Sequence, residues 1–504
     1  MRLGSVSGTF GAGAPTSIAY VAAATASGTI ISVRDNLAAA TWYMGGYDYN
    51  TASDSYVTVY TRASSGSSYN VVVTKFTAST NTVQWSKQLF TSQASWYPTI
   101  STVTIHDDGS VGIFYRGTTS STYYPFVCRF ASDGTLTWQK KITATLANSG
   151  WPLPSSGYFD ARDANRELAW VGTDLLLVIS FFGSTAPMNG AFHIRLNGST
   201  GAATWTREAY KSYFSSPNTY YVTMFRTLTA STPDGTKAIY AWGGQIDGSK
   251  YGQEINVYAA STGGQQTPSS LTYKAWSQTT TAKGLEISSI IADNSYVYCA
   301  GVNRGDTSTN YEVFLMAVSL SANTVFWKRR LTSSTYAGSG SFNPVPYIKF
   351  IPSGGYLMTV HLGGGQSWLV QKWSSDGNTV QWAYSIASST GKVWGVHVDS
   401  ANRLIIYWVS KTTSSASSSI IQLNAVTGAW PYIEGTYADV VDNGTIILTK
   451  DTSAVSEATT STYVSLSTGS FTDTTGTITL ANPSAAESTL QTVTGNIIAT
   501  VNSI

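Results

Sequence analysis

Four histidines, two cysteines and 27 carboxylates are the groups in this chain of 504 residues that could move a proton, hold a metal or attack a carbonyl. His106-Asp107-Asp108-Gly109 sets an imidazole beside two carboxylates, the pairing that general acid–base work uses. Asp-Gly is also strong turn chemistry, and the four residues read as a strand end and a β-turn. His193, His361 and His397 fall singly in separate alternating runs, without metal-ligand spacing, and read as packed or surface histidines. Cys128 and Cys299 lie in different units and read as buried free thiols. Asp160, Asp163 and Glu167 cluster with Arg162 and Arg166. They read as a solvated ion-pair cluster, with calcium as the alternative because loop carboxylates are hard oxygen ligands. Gly363-Gly364-Gly365-Gln366 lacks the Lys and Ser/Thr of a phosphate loop and reads as a turn. A glycosidase needs two carboxylates about 5 to 9.5 Å apart, which sequence does not place. The expectation is a chain with no catalytic residue, no metal and no cofactor.

The remaining chemistry is aromatic. Tyr and Trp offer a flat apolar face with a polar tip, which suits sugar rings and protein partners. Most of the 31 tyrosines fall in alternating runs and read as packing residues. Trp151, Tyr158, Tyr213, Phe214, Tyr220 and Tyr221 fall instead in two insertions, Leu146 to Arg166 and Tyr210 to Tyr221. Long loops on a rigid scaffold are where binding sits, so these six are the candidate binding residues.

The scaffold is legible in a repeat. Asn81-Thr82-Val83-Gln84-Trp85 returns as Asn378-Thr379-Val380-Gln381-Trp382 and, with one change, as Asn323-Thr324-Val325-Phe326-Trp327. Looser copies end at Trp138, Trp205, Trp276 and Trp430, and Leu480 stands where a further tryptophan would be. The step is about 50 to 70 residues, the size of one propeller blade. An alternating apolar run and a polar turn precede each tryptophan, as in Phe126-Val127-Cys128-Arg129-Phe130. Each unit therefore closes with a hairpin whose last strand carries the tryptophan.

These units predict an all-β fold, a β-propeller of four-stranded antiparallel blades. Eight blades are expected, seven being the rival, with Tyr437–Val441 and Thr445–Leu448 opening the eighth. Residues 1–38 read as an N-terminal arm or linker, 39–481 as the propeller, and 482–504 either as a C-terminal strand that closes the ring or as a tail. The basic residues Lys87, Lys140, Lys141 and Lys328-Arg329-Arg330, which follow repeat tryptophans, read as outward faces of outer strands, where Lys discourages edge pairing.

Composition narrows the setting. Charged residues are 11 %, against about 25 % in ordinary soluble domains. Ser, Thr and Gly fill the gap, which suits an extracellular or particle setting. A net charge of +2 gives no clustered basic face for nucleic acid. No apolar run is long enough for a transmembrane helix. Ser17 to Ala24 is a poor fit to a signal-peptide core.

Leu196-Asn197-Gly198-Ser199-Thr200-Gly201-Ala202-Ala203-Thr204-Trp205 and Leu423-Asn424-Ala425-Val426-Thr427-Gly428-Ala429-Trp430 resemble the tryptophan-docking repeat of quinoprotein-like β-propellers. The resemblance implies the fold, with Trp85, Trp138, Trp205, Trp276, Trp327, Trp382 and Trp430 as structural repeat positions. Enzymatic members use a quinone with calcium and typically carry vicinal cysteines, which this chain lacks, so no catalytic residue is carried over. In composition the chain is similar to bacteriophage tail and fibre proteins. The expectation is a non-enzymatic structural or attachment component of a virion, a bacteriophage tail or tail-appendage protein. Its partners would be other virion proteins, joined through the N-terminal arm, and a host-surface glycan. The alternatives are a secreted carbohydrate-binding module or polysaccharide-active enzyme on the same scaffold, and, more remotely, a quinone-dependent dehydrogenase.

Overall fold

A computed structural model describes 36 strands between residues 28 and 503. It also describes residues 51–54, 78–80, 106–110, 131–135, 172–173, 197–202, 227, 232–236, 260–264, 293–295, 320–321 and 374. Every described element is a strand.

Strand β1 (Gly28–Asp35) comes first. The first sheet is β2 (Trp42–Asn50), β3 (Ser55–Ala63), β4 (Tyr69–Thr77) and β5 (Thr82–Thr91). The second is β6 (Thr102–Ile105), β7 (Val111–Thr119), β8 (Thr122–Phe130) and β9 (Leu136–Thr145). The third is β10 (Leu168–Val171), β11 (Asp174–Phe182), β12 (Asn189–Leu196) and β13 (Ala203–Lys211). The fourth is β14 (Leu228–Ser231), β15 (Lys237–Asp247), β16 (Lys250–Ala259) and β17 (Thr272–Ser277). The fifth is β18 (Leu285–Ala292), β19 (Tyr296–Arg304), β20 (Tyr311–Ser319) and β21 (Val325–Leu331). The sixth is β22 (Tyr347–Phe350), β23 (Tyr356–Leu362), β24 (Ser367–Trp373) and β25 (Val380–Ala387). The seventh takes β26 (Gly391–Val398), β27 (Leu404–Lys411) and β28 (Ala416–Leu423) from its own stretch and β1 from the start of the chain.

These antiparallel sheets form a β-propeller. The innermost strand of each touches that of the next, from β2 through β6, β10, β14, β18 and β22 to β26, and β26 touches β2 again. Period-two alternation builds the packing between them. In β3 and β4, Val57, Val59, Val71 and Val73 point one way and join Val103, Ile105, Val111 and Ile113 of the second sheet in one buried cluster. Turns join the first strand of a sheet to the second and the third to the fourth, so both sit on one face of the ring; all are short except the connection before β17, residues 260–271. Asx chemistry sets several of them. Asp133 Oδ1 accepts from the Thr135 amide at 2.8 Å, and Asn197 Oδ1 from the Ser199 amide at 3.0 Å.

The described strands form seven sheets, and the stretch expected to be an eighth unit is not a blade. It is a strap. β29 (Gly435–Ala438) and β30 (Thr445–Lys450) pair with each other, and β30 adds to β25 of the sixth sheet. The strands β31 (Glu457–Ala458), β32 (Val464–Thr468) and β33 (Thr472–Thr474) then add to β21, β17 and β13. Next β34 (Thr477–Ala481) and β35 (Leu490–Thr492) add to β9 and β5, and β36 (Ile497–Ser503) adds to β1. The strap thus runs backward around the ring, adding β30 and β29 to the outer edge of the sixth sheet and one strand to the outer edge of each of the others. The physical reason is edge satisfaction. Each fourth strand offers a row of unpaired N–H and C=O groups, and segments of two to seven residues pair there more readily than with one another.

The strap also corrects the reading of the basic residues as an exposed-edge device. Lys87 lies opposite Thr492, Lys141 opposite Ala481 and Arg330 opposite Ala458, so these strands are covered. Leu480, expected in a repeat tryptophan's place, belongs to β34. The described part of the expected arm, residues 28–35, is β1 in the seventh sheet, and residues 482–504 contain β35 and β36.

Candidate functional site

The repeat tryptophans make one geometry three times. Trp85 Nε1 donates to the Ser132 carbonyl at 2.9 Å, Trp138 Nε1 to Gly198 at 2.7 Å and Trp205 Nε1 to Ala260 at 2.8 Å. Each acceptor lies in the third-to-fourth-strand turn of the next sheet. Beneath each ring sits a glycine of that turn at positive φ, Gly134, Gly201 or Gly263. A Cβ there would fall 2.6 to 2.8 Å from the indole, so only glycine lets the ring lie flat on the turn.

A cation opposite each tryptophan reaches the same carbonyl. Trp85 pairs across the hairpin with Lys75, Trp138 with Arg129 and Trp205 with Arg195. Lys75 Nζ donates to Ser132 O at 3.1 Å and to Gly109 O at 2.8 Å. Arg129 Nη1 donates to Gly198 O at 2.6 Å, and Arg195 Nη1 to Ala260 O. Arg195 also holds Asp174 at 2.8 Å, whose other oxygen accepts from the Gly198 amide. Burial lowers the Lys75 pKa, with Asp108 and Asp133 acting in the opposite direction. Sequence reading missed these cations. The signal was their position nine or ten residues before the tryptophan, where Lys372 also stands before Trp382.

The other repeat tryptophans divide. Trp327 and Trp382 keep the hairpin register, opposite Ala317 and Lys372. Trp276 does not. It lies opposite Gly252, near the far end of β17, because the hairpin connection before β17 is longer. Trp430 lies outside the described residues.

Of the groups with catalytic chemistry, His106 and Asp108 come together. His106 Nδ1 is 3.0 Å from Asp108 Oδ1 and 3.3 Å from the Asp108 amide. One nitrogen faces both: a bare Nδ1 accepts from the amide, and an Nδ1 that carries hydrogen donates to the carboxylate. Asp108 Oδ1 accepts from the Ser110 amide at 2.7 Å, and Oδ2 faces Arg129 at 3.5 Å. Burial raises the Asp108 pKa, but the bonds from Ser110 and His106 outweigh it and hold the carboxyl below its ordinary value. The His106 ring and the Arg129 guanidinium both lie against Trp170 of the third sheet, at 4.8 and 5.4 Å. Asp107 accepts from Asn50 of the first sheet at 2.7 Å. Both Asp108 oxygens are thus engaged in the turn and its neighbours. The arrangement joins sheets one, two and three.

His193 is fully buried between the third and fourth sheets, stacked on Tyr240 at 4.5 Å, with Nδ1 3.0 Å from Tyr258 Oη. Its Nε2 has no hydrogen-bond partner, and burial lowers its pKa to about 3. His397 packs against Tyr49 in a tilted arrangement at 4.1 Å, with Nε2 3.4 Å from Thr51 Oγ1. His361 lies in β23 opposite Trp368. Cys128 and Cys299 are buried free thiols, each pushed up in pKa by burial. Among the described residues, no three His, Cys, Asp or Glu side chains converge as a metal site.

Trp151, Tyr158, Tyr213, Phe214, Tyr220 and Tyr221 lie outside the described residues, as do Asp160, Arg162, Asp163, Arg166, Glu167 and 363–366. The strand ends they connect are described. Residues 146–167 join the end of β9 to the start of β10, and 212–227 join the end of β13 to the start of β14. All four strand ends lie on the face opposite the tight turns, and the two connections flank the third sheet.

No family model and no curated protein matches the chain. Solved structures similar to it include the polysaccharide lyase Uly1, at 9 % identity and a TM-score of 0.42, covering 78 % of this chain and 98 % of that one. The β-propeller domain of the Trilobed protease from Pyrococcus furiosus, described as having an open velcro topology, aligns at 11 % identity and 0.40, covering 76 % and 93 %. The phage phi92 endosialidase aligns at 11 % and 0.38, covering 86 % and 76 %.

Proposed function

We propose that this propeller is the attachment component of a virion, a bacteriophage tail or tail-appendage protein that holds a host-surface glycan on the face opposite its tight turns. The observation that carries the reading is the placement of the two long insertions. Both leave that face, from adjacent connections on either side of the third sheet. Between them they carry Trp151, Tyr158, Tyr213, Phe214, Tyr220 and Tyr221. Aromatic side chains on a rigid ring meet a sugar's apolar face without a large ordering cost.

The particle setting is supported by the strap and the composition. A chain with 11 % charged residues has little repulsion to keep sheet edges apart, and the strap covers an edge on every sheet. The docking of Trp85, Trp138 and Trp205 on glycine turns supports the likeness to tryptophan-docking propellers. The proposal takes the architecture from that likeness and no cofactor. Contacts to other virion proteins are assigned to residues 1–27, which precede β1.

The test is binding of the full chain to a panel of bacterial surface polysaccharides, with Trp151→Ala and Tyr213→Ala beside it. Binding that weakens about five- to one-hundred-fold in the variants, at unchanged melting temperature, is the expected result. The same incubations are read for released oligosaccharide, which would make the chain a polysaccharide-active enzyme. Absence of binding across the panel would sink the glycan reading.

A further inference from the structure

The two faces of the first sheet differ. Toward the second sheet it presents Val57, Val59, Val71, Val73 and Leu89, an aliphatic surface. Cross-strand pairing puts a different set on the other face. Tyr49 lies opposite Tyr56, and Tyr47 opposite Thr58. Tyr56 lies opposite Phe76, and Thr58 opposite Thr74. That face meets the seventh sheet, because the Tyr49 ring packs against His397, tilted, with centroids 4.1 Å apart. Tyr56 Oη and Thr58 Oγ1 are buried there without a hydrogen-bond partner. A buried hydroxyl without a partner opposes the contact that buries it.

The seventh sheet is also where the ring is closed without a covalent link. β28 and β1 belong to distant parts of the chain and are held together by six residue pairs. β1 continues through residues 36–41 into the first sheet, whereas β26, β27 and β28 follow the sixth. Strand β36 then pairs with β1 over seven residues, from Asp35–Ile497 to Thr29–Ser503, the longest pairing of the strap. It makes β1 an inner strand with a neighbour on each side.

We infer that the propeller opens at this one seam, with β26–β28 parting from β1 and the first sheet, and that β36 is the latch that holds β1 in place to receive β28. The seam combines the one strand pairing that closes the ring with a contact face carrying buried hydroxyls that lack partners. The joint between the first and second sheets, by contrast, has a continuous aliphatic cluster. Removing β36 leaves β1 a single edge strand, and an edge strand bound on one side frays more readily.

Amide hydrogen exchange on the full chain tests this, alongside a variant ending at residue 496, Tyr56→Phe, and the combination. In the shortened chain, exchange is expected to accelerate at least about tenfold in β1, β2–β3 and β26–β28 and to stay unchanged in β6–β21. Tyr56→Phe keeps the ring stack on Phe76 and removes the hydroxyl, so it slows the same peptides about fivefold or more in either background. Acceleration spread evenly around the ring, or centred on the sixth sheet where the strap begins, would overturn the inference. So would Tyr56→Phe leaving the seam peptides unchanged or faster. Should the shortened chain fail to fold, Tyr56→Phe in the full chain decides alone.

Discussion

Gly201→Ala tests the tryptophan docking directly. Gly201 has φ +68°, where an alanine Cβ meets its own backbone at a cost of about 1 to 2 kcal/mol. The new Cβ would also lie 2.7 Å from Cδ2 and Cε3 of Trp138, closer than real contacts come. Trp138 must then tilt off the turn. Its bond to Gly198 O, 2.7 Å long, stretches or breaks, costing about 1 kcal/mol. Trp138 also belongs to a buried cluster with Phe114, Val127, Leu175 and Phe192, and disturbing a tight core of this kind costs about 1 to 3 kcal/mol more. The expected loss is about 3 to 6 kcal/mol. Gly235 supplies the control, since its φ is +69° and nothing lies within 4 Å of the point where a Cβ would stand. Gly235→Ala should therefore cost only the backbone share, about 1 to 2 kcal/mol. Denaturant midpoints at a constant m-value measure both. Replacing Trp138 by Leu completes a cycle in which Gly201→Ala falls to the cost of Gly235→Ala. Equal costs for the two glycine variants in the wild-type background would refute the docking argument.

Two further outcomes follow from buried groups. His193 is neutral in the fold, with a pKa near 3 against an ordinary value of 6.5, so the unfolded chain binds the extra proton. Stability is full above about pH 6.5 and falls as pH drops toward 3, by up to about 5 kcal/mol from this residue alone. Melting temperature against pH should slope less steeply for His193→Phe, and an unchanged slope would show that another group controls acid stability. Cys128 and Cys299 are buried with raised pKa values. A thiol reagent at pH 8 should find neither in the folded chain and both after unfolding, and rapid native labelling of Cys128 would contradict its place in the core.

Much of the ring was legible because its signals are local. Period-two runs such as Phe126 to Phe130 become strands, Asp133-Gly134 becomes a turn, and the spacing of Trp85, Trp138 and Trp205 gives the blade. The count was harder. Residues 435–481 keep strand propensity and turn residues, so by pattern they continue the series. Which partner a strand takes depends on the edges open elsewhere, and β1, some 390 residues away in the chain, fills the slot that completes the seventh sheet. Trp276 misled for a related reason. Its residue type matches the repeat, but the hairpin before it sets a different register. The cations Lys75, Arg129 and Arg195 were hidden because an isolated basic residue in a strand ordinarily reads as an exposed one. Here each is drawn inward by carbonyls that belong to the next sheet.

The same geometry separates the two faces of the ring by physical role. On the tight-turn face, tryptophan, glycine and cation fasten one sheet to the next, and His106 with Asp108 and Arg129 adds a staple across three sheets. A change there is felt as stability. Both terminal strands also end on this face, since Gly28 lies opposite Leu423 and Thr29 opposite Ser503. Whatever chain precedes β1 or follows β36 departs from the fastened side. The opposite face carries the sheet-to-sheet connections, of which 146–167 and 212–227 are the longest, together with the second-to-third-strand hairpins, two of them only two residues long. In the proposed attachment role, assembly would use the face where β1 begins and β36 ends, and recognition the opposite face, from which the connections 146–167 and 212–227 start.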